Sequence, residues 1–466
     1  MRYFCCSFMI FVSVAAATSS ALAAEFPPTP TGQTLKAWMA CVNEPDPAKR
    51  IEFLTDGFTE KGAEAVKHRQ SFMDGMQGIK LVEILTDQPR KIAAVFVREG
   101  KSIRVQIETS DDVEQKIHAV TMTPHHITTA SRKKRTDTEV ASELATFLDG
   151  LNSKGKFSGA VLLARGDQVL HRSAYGLASR RYDIANKATT KFNLGSMNKM
   201  FTAVAILQLV QAGNVSLDDP LSMYADATWI KTEMTDKILV KHLLSHTSGL
   251  GYYFNDTFAN KSREFVRTLQ DYKSVLEEEK LAFEPGTKWQ YSNTGMLMLG
   301  VVIEQASGQD YFHYIRDHVY EPAGMMDTDC YDMDVPVPDL AIGYFKQDGR
   351  WTNNLFRHVI RGGPAGGGFS TVDDLHRFSQ ALMSFQLLDR DHTRLLVTPK
   401  PNSPGYGFGF EIEKTASGVI VGHGGGFPGI HSKLEIFADQ NVTAVVLSNM
   451  DRADAPVVNK IRELVN

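Results

Sequence analysis

The sequence predicts an α+β chain in two parts. Residues 25–123 place helix-like spacing ahead of a run of alternating, strand-like segments. Residues 138–466 place strand-like segments at both ends of a helical middle. Between them, 124–137 is polar, basic and without periodicity, the composition of a linker. Strands contributed by both ends of one segment imply a single antiparallel sheet closed by both termini. Helices pack on that sheet and the middle forms a helical subdomain.

The chain starts like a secretory signal over residues 1–24. Arg2 supplies the positive start, Phe4 to Ala17 an apolar core, and Ala21-Leu22-Ala23-Ala24 a small-residue cleavage region. The apolar core is too short for a membrane span, and Cys5 and Cys6 lie inside it. An exported, soluble mature protein, periplasmic or secreted, is the expectation. Cys41 and Cys330 then remain, read as buried free thiols in different domains, with a bridge between them left open. The 466 residues carry a net charge of -4, with 43% hydrophobic and 22% charged residues. These are values of a soluble globular protein with room for two or more domains. Nucleic-acid binding is not indicated, because basic residues cluster only at Arg132-Lys133-Lys134-Arg135, inside the linker.

In the first part, Leu35, Trp38, Met39 and Val42 recur at helical spacing. Ala48 to Leu54 and Ala63 to Met76 suggest two more helices. Gly78 to Leu85, Ile92 to Arg98, Ser102 to Glu108 and Ile117 to Met122 read as strands, with Gly100 at one turn. This order resembles the cystatin-like or nuclear-transport-factor-like folds. It holds no nucleophile, metal set or phosphate loop, and reads as a small accessory domain. Its role is to shape substrate access, dock a partner, or support the fold. In the second part, Glu139 to Asn152 is an amphipathic helix. Phe157 to Arg165 and Val169 to Tyr175 form a hairpin about Gly166-Asp167. Gly407 to Glu413, Gly418 to Gly422, Lys433 to Phe437 and Val442 to Ser448 are the closing strands. Ala455 to Leu464 is the last helix.

Three stretches carry chemistry. The first is Phe192-Asn193-Leu194-Gly195-Ser196-Met197-Asn198-Lys199, followed by an apolar run to Val210 with a stop at Gly213. It reads as a loop delivering a nucleophile into the first turn of a buried helix. Residues three apart share a helix face, so Lys199 sits beside Ser196. A serine hydroxyl needs a base, and a buried lysine is one. Ser131/Lys134 and Ser153/Lys156 repeat the spacing, but in the linker and in a Gly/Lys-rich turn. Helix capping is the plainer use of Ser196.

The second stretch leads from Pro285-Gly286 into Tyr291-Ser292-Asn293 at the start of another apolar helix. A phenol near Lys199 can pass a proton to a leaving group, and Asn293 can hold Lys199 or a substrate carbonyl. Tyr253-Phe254-Asn255 has the same spacing but no helix behind it. The third is Val419 to Gly429, where a strand runs into His423-Gly424-Gly425-Gly426. Glycine lets a ligand approach the backbone, and His423 faces the pocket in this reading.

These three stretches, in this order, resemble the serine β-lactamase and penicillin-binding-protein superfamily. The branch with Tyr-x-Asn in the middle fits best: class C β-lactamases, serine esterases, D-aminopeptidases and DD-carboxypeptidase-like proteins. Leu243-Leu244-Ser245-His246-Thr247-Ser248-Gly249-Leu250 and Pro364-Ala365-Gly366-Gly367-Gly368-Phe369-Ser370-Thr371 match as well. The resemblance covers about 140–466 and implies a β-lactamase/transpeptidase-like fold. It implies Ser196 as acylated nucleophile, Lys199 as its base partner, Tyr291 as general acid/base, and Asn293 as a substrate contact. It implies an oxyanion hole from the backbone N–H groups of Ser196 and Gly426. His423-Gly424-Gly425 stands where the family has Lys-Thr-Gly. That exchanges a fixed positive charge for a largely neutral imidazole and weakens attraction for a substrate carboxylate, on the order of 1 kcal/mol or more.

There is no Gly-x-Ser-x-Gly elbow. His242 and His246 lack a His-Glu-x-x-His context and read as structural. No metal or cofactor is required. The expectation is an exported serine hydrolase acting on small ester, amide or peptide substrates, including D-amino-acid ones. A β-lactamase is the alternative. A catalytically idle binding protein on the same fold is the alternative of another class.

Overall fold

The computed structural model describes residues 25–59, 66–67, 69–70, 73, 76–98, 101–110, 116–124, 135–403, 405–415 and 417–465. It divides into two compact units, Met1–Arg132 and Lys133–Asn466. The signal-like stretch 1–24 lies outside the described residues, as do 125–134 of the basic segment and much of the helix expected over 63–76.

In the first unit, helices α1 (Pro30–Asn43) and α2 (Pro47–Asp56) each start with proline, behind capping side chains of Thr29 and Asp46. Proline suits this position because its missing N–H would have no helical partner anyway. Strands β1 (Lys80–Gln88), β2 (Lys91–Arg98), β3 (Lys101–Thr109) and β4 (Ile117–Pro124) form an antiparallel meander in sequence order. β1 runs three residues beyond its expected end. Irregularities at Leu81/Glu83 and Ile84/Thr86 break its alternation, which is how a bulge hides a strand from a period-2 reading. Leu35, Trp38 and Val42 are fully buried against Ile92, Ala94 and Phe96, and Trp38 meets Phe96 edge-on at 5.9 Å.

The second unit opens with α3 (Asp137–Ser153). It starts before the expected Glu139, inside the segment read as linker. Thr136 and Glu139 form a reciprocal capping box: the Glu139 N–H donates to Thr136 Oγ1 at 3.2 Å, and the Thr136 N–H donates to Glu139 at 2.8 Å. Then come β5 (Gly159–Arg165), β6 (Gln168–Tyr175), the short β7 (Phe192–Asn193) and α4 (Asn198–Gln211). The middle contains short helices and one long one, α5 (Asn293–Ser307). β8 (Phe369–Ser370) pairs with β7, and α6 (Val372–Met383) follows. The chain closes with β9 (Glu411–Thr415), β10 (Gly418–Phe427), β11 (Ile430–Phe437), β12 (Val442–Ser448) and α7 (Asp454–Val465).

The main sheet is antiparallel in the order β9-β10-β11-β12-β5-β6. Val161 faces Val446 across the seam where the two ends of the unit meet. Alternation along β5 explains the layers. Val161 and Leu163 join α3 and α7 in one core, while Ala160, Leu162 and Ala164 join α4 in the other. Two expected strands differ. Gly407–Phe410 is not a strand, because Gly409 (φ +71) is pressed onto α4. A Cβ there would lie 2.5 Å from the Ala203 Cβ. β10 also continues through the whole glycine cluster to Phe427 rather than ending at Gly422. Cys41 and Cys330 are both free and buried. Among the described residues, no helix is long and apolar enough to cross a membrane.

Thr136→Ala is expected to lower stability by about 1 kcal/mol, read as a lower urea midpoint with an unchanged m-value.

Candidate active site

Ser196 lies in a single 3-10 turn, Gly195–Met197, one turn ahead of α4. Two stretches of chain hold that turn. From one side comes the loop 363–368. The Gly367 N–H donates to Gly195 O at 3.0 Å, and the Leu194 N–H to Gly368 O at 2.7 Å. Asn198 ties the same loop down. Its Oδ1 accepts from the Gly368 N–H at 3.1 Å and its Nδ2 donates to Gly363 O at 3.2 Å. From the other side comes β10. A Cβ on Gly425 would lie 1.9 Å from Leu194 O and 3.1 Å from Ser196 N. A Cβ on Gly195, which has φ +52, would lie 3.1 Å from Gly426 N. The Ser196 and Gly426 amides are brought together because no side chain stands between the two backbones.

Lys199, on the first turn of α4, is fully buried. Its Nζ donates to Ala365 O and sits 4.8 Å from the centroid of the Tyr291 ring. Burial drives its pKa well below the usual lysine value, since desolvation disfavours the charged form. Tyr291 precedes α5, whose N-cap is Ser292. Burial raises the phenol pKa, with a hydrogen bond to the Ser196 side chain opposing the rise. Serine, lysine and tyrosine therefore meet around one ring, and burial biases both amine and phenol toward their uncharged forms.

Asn293 stands at the start of α5, 8% exposed, with its Oδ1 lacking any hydrogen-bond partner. It does not clamp Lys199 through that oxygen, because Ala365 O takes that place. Both Asn293 and Gly426 line a cavity of about 90 Å³ beside Ser196, walled also by Tyr253, Phe254, Val359 and Phe427. The second Tyr-x-Asn is thus split. Its aromatic residues wall the cavity, and Asn255 caps a short helix by accepting from the Phe258 N–H. His423 and Gly425 are buried on β10, with Gly425 pressed against the Ser196 turn. His423 lies on the same strand face as Gly425, its ring 6.5 Å from that of Tyr291, in a layer where it is 2% exposed.

That layer is an unbroken hydrogen-bond chain. The Ser292 N–H is 3.2 Å from His246 Nδ1, His246 Nε2 is 3.1 Å from the Tyr406 hydroxyl, and that hydroxyl is 3.1 Å from His423 Nε2. His423 Nδ1 meets Gly424 O. The His246 ring lies 4.5 Å from the Tyr291 ring, held in a left-handed backbone conformation at φ +59. Burial lowers the His246 pKa well below normal and pushes His423 down to about 4. Glu411 lies 3.8 Å from His423 Nδ1, pairs with Lys433, and is held down at about 2: desolvation opposes this, but His423 and Lys433 outweigh it. His242 accepts from the Leu239 N–H at 3.2 Å. No group of residues suited to a metal ion occurs among those described.

The family model described as Beta-lactamase matches residues 143–465. The chain belongs to that family. It is a serine hydrolase of the β-lactamase and penicillin-binding-protein type. Penicillin-binding protein 4* of Bacillus subtilis (strain 168) is 31% identical over 330 residues, 66% of this chain and 71% of that protein. The structure of a penicillin binding protein from Bacillus halodurans is similar with TM-score 0.63 at 31% identity, covering 68% of this chain and 98% of that one. The fold is also that of D-amino acid amidase from Ochrobactrum anthropi SV3, with TM-score 0.60 at 22% identity, covering 70% and 98%. Within this β-lactamase-family unit, sequence reasoning missed Tyr406, Glu411 and Asn198. Asn198 sits between Ser196 and Lys199 in the motif itself. Tyr406 carries only the signal of flanking glycines.

Gly425→Ala must push the Ser196 turn aside. It is expected to cost about 1–3 kcal/mol and to abolish labelling of Ser196 by a fluorophosphonate, read by intact-protein mass.

Proposed function

We propose that the protein is an exported hydrolase that forms an acyl-enzyme at Ser196, acting on small neutral esters and amides, including D-amino-acid derivatives. The observation that carries this reading is Lys199: fully buried, bonded to a carbonyl, beside Tyr291 and not salt-bridged to any carboxylate. A carboxylate partner would keep the amine charged. Without one, the free amine can take the proton that Ser196 must lose.

Ser196 Oγ attacks the substrate carbonyl while its proton passes through the Tyr291 phenol to Lys199. The oxyanion forms beside the Ser196 and Gly426 N–H groups. The proton returns to the leaving group, the carbon–heteroatom bond breaks, and an ester to Ser196 remains. Water, deprotonated by the same pair, then frees the acid. Asn293, with its unpaired Oδ1, is placed to accept an N–H from an amide substrate. The D-amino acid amidase among the structural neighbours acts on an amino acid amide, which fits such a contact. The runner-up is β-lactam hydrolysis. The neutral His423 counts against it, since it offers no charge to a β-lactam carboxylate. Export rests on the signal-like residues 1–24, and the first unit is proposed as an accessory domain.

Tyr291→Phe is expected to lower kcat about 10²- to 10⁴-fold with little change in KM on p-nitrophenyl acetate. Ser196→Ala is expected to lose mass gain with fluorophosphonate altogether, and persistence of labelling would defeat the reading. Nitrocefin turnover far above that of esters and D-alanine amides would promote the runner-up.

The Lys199 pKa also has a sign for pH. It is lower folded than unfolded, so the unfolded chain binds more protons between the two values. Stability is expected to rise with pH up to the ordinary lysine value of 10.5, and activity to fall as pH drops through the depressed one. Urea unfolding of Lys199→Met is expected to lose that slope.

A further inference from the structure

The chain from Ser292 to Gly424 has a fixed direction, because both ends are backbone groups. The Ser292 N–H can only donate, so His246 Nδ1 accepts and its Nε2 carries the proton. That proton goes to the Tyr406 oxygen. The Gly424 carbonyl can only accept, so His423 Nδ1 carries its proton and Nε2 is a bare acceptor. The Tyr406 hydroxyl fills the gap between them, donating to His423. Every proton is accounted for with both imidazoles neutral. A further proton on His423 would face the Tyr406 oxygen and leave the phenol proton with no acceptor. Such an orphaned buried donor is costly, because it has lost its water without gaining a partner.

We propose that Tyr406 sets the charge selectivity of the site: its hydroxyl, held between His246 and His423, adds to burial in keeping both imidazoles uncharged and fits the cavity to substrates without a negative charge near the reacting carbonyl. Tyr406 is a positioning residue. It is buried, its ring tilted against His246 at 4.7 Å and edge-on to His423 at 5.8 Å. It also joins the turn of the middle that carries His246 to the sheet that carries His423.

The surroundings of His423 are otherwise ready for a charge. Glu411 lies 3.8 Å from Nδ1 and favours the imidazolium, while Lys199 on α4 and Lys433 on β11 oppose it, with Lys433 already engaged by Glu411. His246 and the Tyr291 ring complete the enclosure. Without the Tyr406 hydroxyl, His423 Nε2 loses the donor that favours its neutral form. An imidazolium on β10 would then stand two residues from Gly425, which touches Ser196. At such range in a partly dry site, a unit charge acts on an anionic substrate through space.

This inference rests on the proposed hydrolase reading for its substrate readout, and on nothing but the hydrogen-bond chain for its proton readout. The substrate test compares p-nitrophenyl butyrate with the mono-p-nitrophenyl ester of glutaric acid, which adds a carboxylate to a similar acyl chain. In the wild-type protein the ratio of kcat/KM, anionic over neutral, is expected to stay flat from about pH 8 to about pH 5. In Tyr406→Phe it is expected to rise about fivefold as pH falls, through KM. In Tyr406→Phe/His423→Gln, which has no imidazole at 423 to charge, it is expected to be flat again. A flat ratio in folded Tyr406→Phe overturns the proposal.

The proton test uses ¹⁵N-labelled histidine in the full-length wild-type protein, with His246→Gln and His423→Gln for assignment. His246 is expected as the Nε2–H tautomer and His423 as the Nδ1–H tautomer, both unprotonated down to about pH 5. Either ring appearing as imidazolium at about pH 6, or in the opposite tautomer, overturns it even if Tyr406→Phe fails to fold. Loss of hydrolysis of both esters in the wild-type protein would defeat the hydrolase reading while the tautomers still decide the role of Tyr406.

Discussion

The structure turns on one contact between two backbones: the Ser196 turn against the glycine stretch of β10. At Gly425 the approach leaves no room for even a methyl group. Everything that defines the site follows from keeping that contact. The six-stranded sheet brings β10 into the right plane by joining strands from opposite ends of the unit. The loop 363–368 clamps the turn from the other side through Gly195, Leu194 and Asn198. Gly195 takes a left-handed φ so that the turn can face the strand amides. Each of these is a backbone requirement, and side-chain chemistry is hung on them.

The chemistry in turn depends on dryness. Among the described residues Lys199 and Tyr291 have no counter-charge, so burial acts on both in the direction of neutrality. In the proposed reaction an amine beside a phenol serves as proton acceptor and proton conduit rather than as an ion pair. A salt bridge at Lys199 would stabilise its charge and leave Ser196 without a base. The cost of burying an unpaired amine is carried by an otherwise apolar helix, α4, most of which is enclosed. Stability is given up at one residue and recovered along the same element, as expected of a functional site.

Much of this was legible in the sequence, for identifiable reasons. The apolar helices behind Ser196 and Asn293 announce themselves by hydrophobicity without a polar face, and both are buried as expected. The strands at each end read as short apolar runs bounded by turn residues, and they pair into one sheet. Errors fell where a local rule was overridden. β1 outran its expected end because bulges break alternation. α3 began early because a capping box extends a helix into a basic segment. Gly407 to Phe410 alternates like a strand but is drawn onto α4 instead. Of the site, Ser196, Lys199, Tyr291, Asn293 and the strand of His423 and Gly426 were visible as local motifs. Tyr406 and Glu411 were not, because their partners lie at sequence separations that no periodicity encodes. The burial of His423 was equally hidden. The strand through Gly422 to Phe427 places it in a buried layer, and letters alone do not give a strand its length.

The replacement of a family lysine by histidine is therefore more than a lost charge. A lysine in that buried layer would need an acceptor for each of its protons, and the layer offers one phenol oxygen, one carbonyl and, at 3.8 Å, a Glu411 carboxylate already engaged by Lys433. A histidine fits because it can donate at one nitrogen and accept at the other, as a link in a directed chain must. The same property couples β10 to the backbone at Ser292, immediately after Tyr291, through His246 and Tyr406. Strand position and phenol position are thus tied by hydrogen bonds as well as by packing. A histidine at 423 without an acidic proton facing its Nε2 would have burial alone to keep it neutral, and a tyrosine at 406 without two imidazoles would be a buried hydroxyl with unmet bonds. The two residues make sense only as a pair, which is why neither could be assigned from its own neighbourhood in the chain.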